Sequence, residues 1–196
     1  MSQKTNYGNI DDRHRMTGRE KTVRLAKMGM LVAISVVLVY FIHFPIFPAV
    51  AFLEYEPADI PILIGTFAFG PVAGVLLTIV TSVVQGVTVS AASGAYGIIM
   101  HIIATSVLVI VAGVIYKFNK TRKGAVIALI CGTAAMAVVM IGANLIITPL
   151  FMGVPRSMVW DLMPFIVGFN AIKAGINSIV TFFLYKRISG FLHRTA

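Results

Sequence analysis

Within the apolar stretch Met163–Tyr185 stands one cation, Lys173, with Asn170 three residues before it and Asn177 four residues after it. Those spacings place the three side chains on one face of a helix. A cation inside a membrane costs roughly 3 kcal/mol even on lenient insertion scales, so a chain that keeps one there turns it toward a ligand or a partner. A further amide, Asn144, lies in the preceding apolar segment, within Gly142-Ala143-Asn144-Leu145. Amides offer donors and an acceptor, whereas lysine offers donors only. Together Asn144, Asn170 and Lys173 suit a neutral ring whose edge carries carbonyl and imide groups. For the three asparagines, bonding across neighbouring helices is an equally open role. Lys173 fits that role less well, because joining helices does not require a full charge. Asp161 and Glu54 are the carboxylates considered as its partners, although both are expected nearer the surface.

Other chemistries lack their residues. There is no Gly-rich loop ending in Gly-Lys-Ser or Gly-Lys-Thr, hence no phosphate cradle of that kind. No His-Glu-x-x-His occurs, and His14, His43, His101 and His193 are scattered, so no metal site is expected. Ser93-Gly94 with His101 is the nearest approach to an intramembrane serine hydrolase, and it has no acid beside it. Cys131 is the single cysteine and excludes an internal disulfide.

The elements that must hold the polar residues are read from composition. Of the 196 residues 58% are hydrophobic and 12% charged, with a mean hydropathy of +0.92. Soluble domains carry about 25% charged residues, so this is an integral membrane protein of all-α class. The net charge of +9 is not a nucleic-acid footprint, because the basic residues flank apolar segments instead of forming a stripe with aromatics. Expected spans are 23–41, 59–70, 71–90, 96–116, 124–150 and 162–186. The second, at about 1.5 Å per residue, is too short to cross a bilayer of roughly 30 Å alone. Asp59 is placed to act as its N-cap, and Gly70-Pro71 ends it. Residues 43–57, 91–95, 117–123 and 151–161 read as loops. Six spans with both termini inside put fourteen of the sixteen Lys and Arg on the cytoplasmic side, as the positive-inside rule expects. Residues 1–21 are then a basic, disordered cytoplasmic tail, 22–190 the membrane domain and 191–196 a second cytoplasmic tail. Ala49-Val50-Ala51 imitates a signal-peptidase site, but the polar region before the first span is long for a signal peptide, and that span is read as retained.

Two further features concern contacts. Gly29 and Ala33 form a small-x-x-x-small pair on the first helix, which serves either packing within the bundle or docking of a partner membrane protein. The loop 44–57 is rich in Phe, Pro, Leu and Tyr. It reads either as an interfacial belt or as a lid over a planar ligand.

The string Phe52-Leu53-Glu54-Tyr55-Glu56-Pro57-Ala58-Asp59-Ile60-Pro61, followed by Gly65-Thr66-Phe67-Ala68-Phe69-Gly70-Pro71-Val72-Ala73-Gly74, resembles the substrate-binding S components of energy-coupling factor (ECF) vitamin transporters. With Pro164-Phe165 and Asn170-Ala171-Ile172-Lys173, the likeness is to the riboflavin-specific members and covers about residues 22–190. It implies an ECF S-component-like bundle of six helices in the bacterial plasma membrane, which is not an enzyme. Riboflavin is implied as transported substrate, not as cofactor, bound near the outer face. Leu53, Glu54 and Tyr55 would belong to the lid, Tyr96 and Gly97 to the start of the fourth helix. Asn144, Asn170 and Lys173 would meet the isoalloxazine ring or ribityl chain. Gly29 and Ala33, where the family carries Ala-x-x-x-Ala, would dock an EcfT-like transmembrane coupling protein that works with two ATPase subunits. Membrane lipid is the remaining partner, and nucleic acid is none. An S component for another vitamin or precursor, or a membrane enzyme, are the alternatives.

Overall fold

A computed structural model describes residues 17–193, almost entirely as helix. Helix α1 spans Gly18–Phe41, beginning before the expected residue 23. A capping box is the reason. Thr17 Oγ1 accepts the Glu20 amide at 3.3 Å, and Glu20 Oε2 accepts the Thr17 amide at 2.8 Å. These bonds satisfy two otherwise orphaned donors and let the polar residues join the helix. Residues 18–21 are therefore helical, not part of a tail, and residues 1–16 lie outside the described residues.

The loop that follows is more ordered than expected. Strands β1 (Phe44–Pro45) and β2 (Glu54–Tyr55) pair antiparallel, Phe44 against Tyr55, around a 3-10 turn at Pro48–Val50. Helix α2 is Asp59–Phe69 and α3 is Pro71–Val87. Gly70 joins them at φ 93°, a backbone conformation that glycine adopts without steric cost, and proline at the first position of α3 gives up only an amide that would be unpaired anyway. From α1, the Arg24 guanidinium donates to the Phe69 carbonyl at 2.9 Å and so caps the end of α2. After a 3-10 turn at Ala91–Ser93 come α4 (Gly94–Phe118), α5 (Arg122–Met152), α6 (Arg156–Asp161) and α7 (Met163–His193). Residues 151–161, expected to be a loop, contain the end of α5 and the whole of α6. Gly153 at φ 66° stops α5, and Pro155 stands before the first residue of α6. The expected tail from residue 191 is helical as far as His193.

Helix α2 is the centre of the bundle. It packs on α1, α3, α4 and α7, and every residue from Asp59 to Phe67 is buried. A helix apolar on all sides is stable only when surrounded, which is how this one is placed. Helices α3, α4, α5 and α7 pack in that order around the core, and α1 lies on one flank against α2 and α3. A Cβ at Gly65 would strike the Leu77 side chain, and one at Gly74 would strike Thr66 and Val109, so both glycines permit close approach within the bundle. Helices α1, α4, α5 and the Met163–Tyr185 part of α7 are each long and apolar enough to cross a membrane, while α2 and α3 are shorter apolar helices. A second apolar cluster fastens the 44–57 loop: Val50 and Leu53 pack with Val159 of α6 and with Met163, Ile166 and Phe169 of α7.

Candidate functional site

Strand β2 alternates its side chains, as a pleated strand must, leaving Glu54 exposed and Tyr55 buried. The chain then turns into α2 and carries Glu56 and Asp59 inward. Asp59 is fully buried and is the first residue of α2, with Ala58 at the flanking position. The expected N-cap bond is not made. The Asp59 carboxylate serves tertiary contacts instead. Its Oδ1 accepts Thr105 Oγ1 at 2.7 Å, and its Oδ2 accepts the Asn177 amide at 3.1 Å.

Lys173 is buried and ends on Glu56. Its Nζ donates to Glu56 Oε1 at 3.1 Å. The partner is therefore neither Asp161 nor Glu54, but a carboxylate that the inward turn after β2 delivers to bundle depth. Gln85 Nε2 of α3 donates to the same oxygen at 3.1 Å. His101 of α4 stands between the two acids, its Nε2 at 3.3 Å from Glu56 Oε1 and 3.5 Å from Asp59 Oδ1. Asn177 completes the cluster. It donates to the Glu56 carbonyl at 3.2 Å and accepts the Tyr55 hydroxyl at 3.0 Å. The 44–57 loop, α2, α3, α4 and α7 thus meet on a single set of buried ionic and hydrogen bonds. Removing a carboxylate from water raises its pKa, but Lys173 and His101 beside Glu56 outweigh burial and hold its carboxyl below the ordinary range.

Beside the cluster lies a cavity in which the centre of a water molecule can range over about 90 Å³. Apolar walls come from Phe52, Leu53, Phe169, Met136 and Met140, and polar groups from Gln85, Asn170 and Lys173. Gln85 Oε1 is buried and has no hydrogen-bond partner, so an acceptor remains for an incoming N–H or O–H.

The expected residues divide by location. Leu53, Glu54, Tyr96, Gly97, Asn170 and Lys173 line the cavity. Tyr55 points its hydroxyl to Asn177. Asn144 bonds the Met140 carbonyl at 2.8 Å and accepts Thr148 Oγ1 at 2.9 Å, and Thr148 in turn meets the Tyr96 hydroxyl at 3.1 Å. The Tyr96 ring stacks on Phe151 at 4.0 Å. Asn170 bonds the Ile166 carbonyl of its own helix at 2.8 Å. Gly29 and Ala33 lie far along the chain from these groups, on the exposed face of α1.

Sequence reading missed Glu56, Gln85 and His101 as members of the site. The available signal was their polarity: Ser82 with Gln85, and His101 with Thr105, share helix faces at spacings of three and four in otherwise apolar helices. His101 does meet a serine, but it is Ser82 at 2.7 Å, not Ser93. Ser82 Oγ also donates to the Thr78 carbonyl at 2.6 Å, which occupies its only proton and leaves no activated nucleophile. Among the described residues no group of three or more His, Cys, Asp or Glu has the geometry to hold a metal ion.

Comparison with known proteins bears on what such a site serves. The riboflavin transporter RibU of Staphylococcus aureus (strain TCH60) is 31% identical over 191 residues, covering 91% of this chain and 100% of that protein. The riboflavin transporter FmnP of Bacillus subtilis (strain 168) is 29% identical over 61% of this chain and 63% of that protein. A solved structure of the S component of a bacterial ECF transporter superposes with a TM-score of 0.76 at 31% identity, covering 89% of this chain and 99% of that one. The family model for the substrate-specific component of ECF transporters matches residues 23–185, and with that match the chain belongs to this family.

Proposed function

We propose that this chain is the riboflavin-binding S component of an ECF importer. Its place is the bacterial plasma membrane, as a multi-pass protein that captures a substrate and converts nothing. The carrying observation is the cavity between the 44–57 loop and α7, where apolar walls converge on Lys173, Asn170 and the unpaired acceptor of Gln85. A flavin matches that arrangement: apolar faces suit Phe52, Leu53 and Phe169, and an edge of carbonyl and imide groups supplies both acceptors and a donor. Sites for drug-sized ligands enclose about 300–1,000 Å³. The cavity here is about 90 Å³, so a tricyclic ring enters by moving the loop outward. The hairpin pairs the loop's own backbone, and the outward movement gives up the packing of Val50 and Leu53 on Val159, Met163, Ile166 and Phe169.

Tyr96, Gly97 and Asn144 extend the same reading toward the ribityl chain, and Glu54 and Tyr55 act through the lid. Six crossings with both termini cytoplasmic follow from the basic flanks, with residues 22–190 as the membrane domain. Delivery inward uses the ECF module, namely a transmembrane coupling protein of the EcfT type and two ATPase subunits. Gly29 and Ala33 face out of the bundle, and a Cβ built at Gly29 meets nothing within 4 Å beyond its own stretch of helix, so that face is open to a partner helix. The test is a titration of purified protein against riboflavin, read by quenching of flavin fluorescence. Saturable quenching at nanomolar protein supports the assignment. No quenching, with tight binding of a different vitamin, overturns it.

A further inference from the structure

We propose that the groove between α5 and α7 is a binding site for an anionic phospholipid. The groove encloses about 640 Å³ and is lined on α5 by Val126 to Ala137 and on α7 by Ala171 to Phe183. Four of its lining residues are small, Ala134, Ala137, Ala171 and Gly175, and a Cβ at Gly175 would meet nothing within 4 Å outside its own helix backbone. The two hydroxyls in it, Thr133 and Ser178, bond each other at 3.2 Å, so the groove asks for no hydrogen bond from its occupant. From Val126 to Ala137 a helix rises about 16 Å, roughly half of a hydrocarbon core about 30 Å thick. The groove therefore has the depth of a single leaflet and the lining of an acyl-chain channel.

One end carries the charge. A second hollow of about 360 Å³, sharing Val126 and Phe182 with the groove, is bounded by Arg122 and Lys123. Both residues are exposed, and both stand in the first turn of α5, where the helix dipole is positive. Their aliphatic stems wall the hollow while their charged ends reach the headgroup layer. An acyl chain in the groove would bring its phosphate to those two cations. On the orientation proposed above, this is the inner leaflet, though the preference for charge does not depend on that orientation.

The experiment uses delipidated protein in detergent, titrated with phosphatidylglycerol or with phosphatidylcholine of matched acyl chains and read by native mass spectrometry. Two cations in the headgroup layer predict a preference of roughly thirtyfold for the anionic lipid at low salt, weakening as salt rises. The double variant R122Q/K123Q should bring the ratio close to one without weakening phosphatidylcholine. Gly175→Leu fills the groove and should lower the affinity for both lipids about tenfold or more. If that variant does not elute as a folded monomer, Ala171→Leu makes the same test from the groove rim. Equal affinity for the two lipids in the unmodified protein, or retention unaltered by Gly175→Leu or Ala171→Leu in a folded monomer, overturns the proposal. Failure of riboflavin to bind would leave these lipid readings untouched, so the two assignments fail separately.

Discussion

The side of the bundle under the 44–57 loop and the outer face of α1 treat the membrane in opposite ways. Beneath that loop, Glu56, Asp59, His101, Gln85, Lys173 and Asn177 are drawn out of water and satisfied almost entirely by one another. On α1, only Leu31, Ser35 and Val39 are buried, and Gly29, Met30, Ala33 and Ile34 face outward. The contrast lies in where specificity is stored. A buried ionic cluster has a single geometry in which its charges are paired, because an unpaired charge in low dielectric costs several kcal/mol. A smooth apolar face with small residues holds little energy by itself and becomes specific when a second surface fits it.

The largest effect is expected from Lys173→Ala. It leaves Glu56 without its cation and should destabilise the fold by about 3–5 kcal/mol, with a fall in riboflavin affinity of about a hundredfold or more. Combining Lys173→Met with Glu56→Leu should restore much of the stability, because an apolar pair can replace a buried ion pair, but not the affinity. Thermal unfolding and flavin quenching measured on both variants separate the two effects. Recovery of affinity in the double variant would remove Lys173 from the binding site.

Next in size is Asn177→Ala. It deletes bonds to Asp59, to the Glu56 carbonyl and to Tyr55, and should cost about 1–3 kcal/mol of stability through the donors and acceptors left unsatisfied. A melting temperature indistinguishable from the parent would show that the cluster relaxes around the loss. On the other face, Gly29→Leu should leave stability and flavin affinity within about twofold while abolishing uptake in cells that express the coupling module. Uptake that survives would separate the α1 face from docking.

The smallest effects come from the two neighbouring glutamates. Glu54 is exposed and makes no ion pair among the described residues, so Glu54→Gln should change stability by less than about 0.5 kcal/mol. Glu56 makes the stability depend on pH. Its carboxyl is held below the ordinary value near 4.3, so the stability from its pairing is complete above that pH and is lost as pH falls through the folded value. Acid unfolding curves of the parent and of Glu56→Gln should therefore converge as the pH drops below about 4. Parallel curves across that range would assign the dependence to another group.

Much of the fold was legible in the chain because the solvent of its outer surface is hydrocarbon. Long apolar runs, the Gly70-Pro71 break and the basic flanks follow from transfer free energy and backbone sterics, which act locally. The 44–57 loop was recognisable as aromatic and proline-rich, and Lys173 stood out as the charge least tolerable in its surroundings. Element ends were less legible: the Thr17–Glu20 box and the short helix at Arg156–Asp161 depend on side-chain bonds and on chain direction after Gly153, and average polarity carries neither.

That Lys173 must be compensated is readable from the chain alone, because no membrane segment carries an unpaired ammonium cheaply. Which group compensates it depends on how the helices pack. Glu54 and Glu56 carry the same side chain two residues apart, and the turn from β2 into α2 sends one to the surface and the other to Lys173, 117 positions away along the chain. Asp59 shows the same division. Its place at the start of α2 is local and readable, whereas its use, bonded to Thr105 and Asn177 instead of to the helix amides, follows from how α4 and α7 surround it. A long-range pair of charges is chosen by the packing that brings them within reach, and that choice is not written in either residue's neighbourhood.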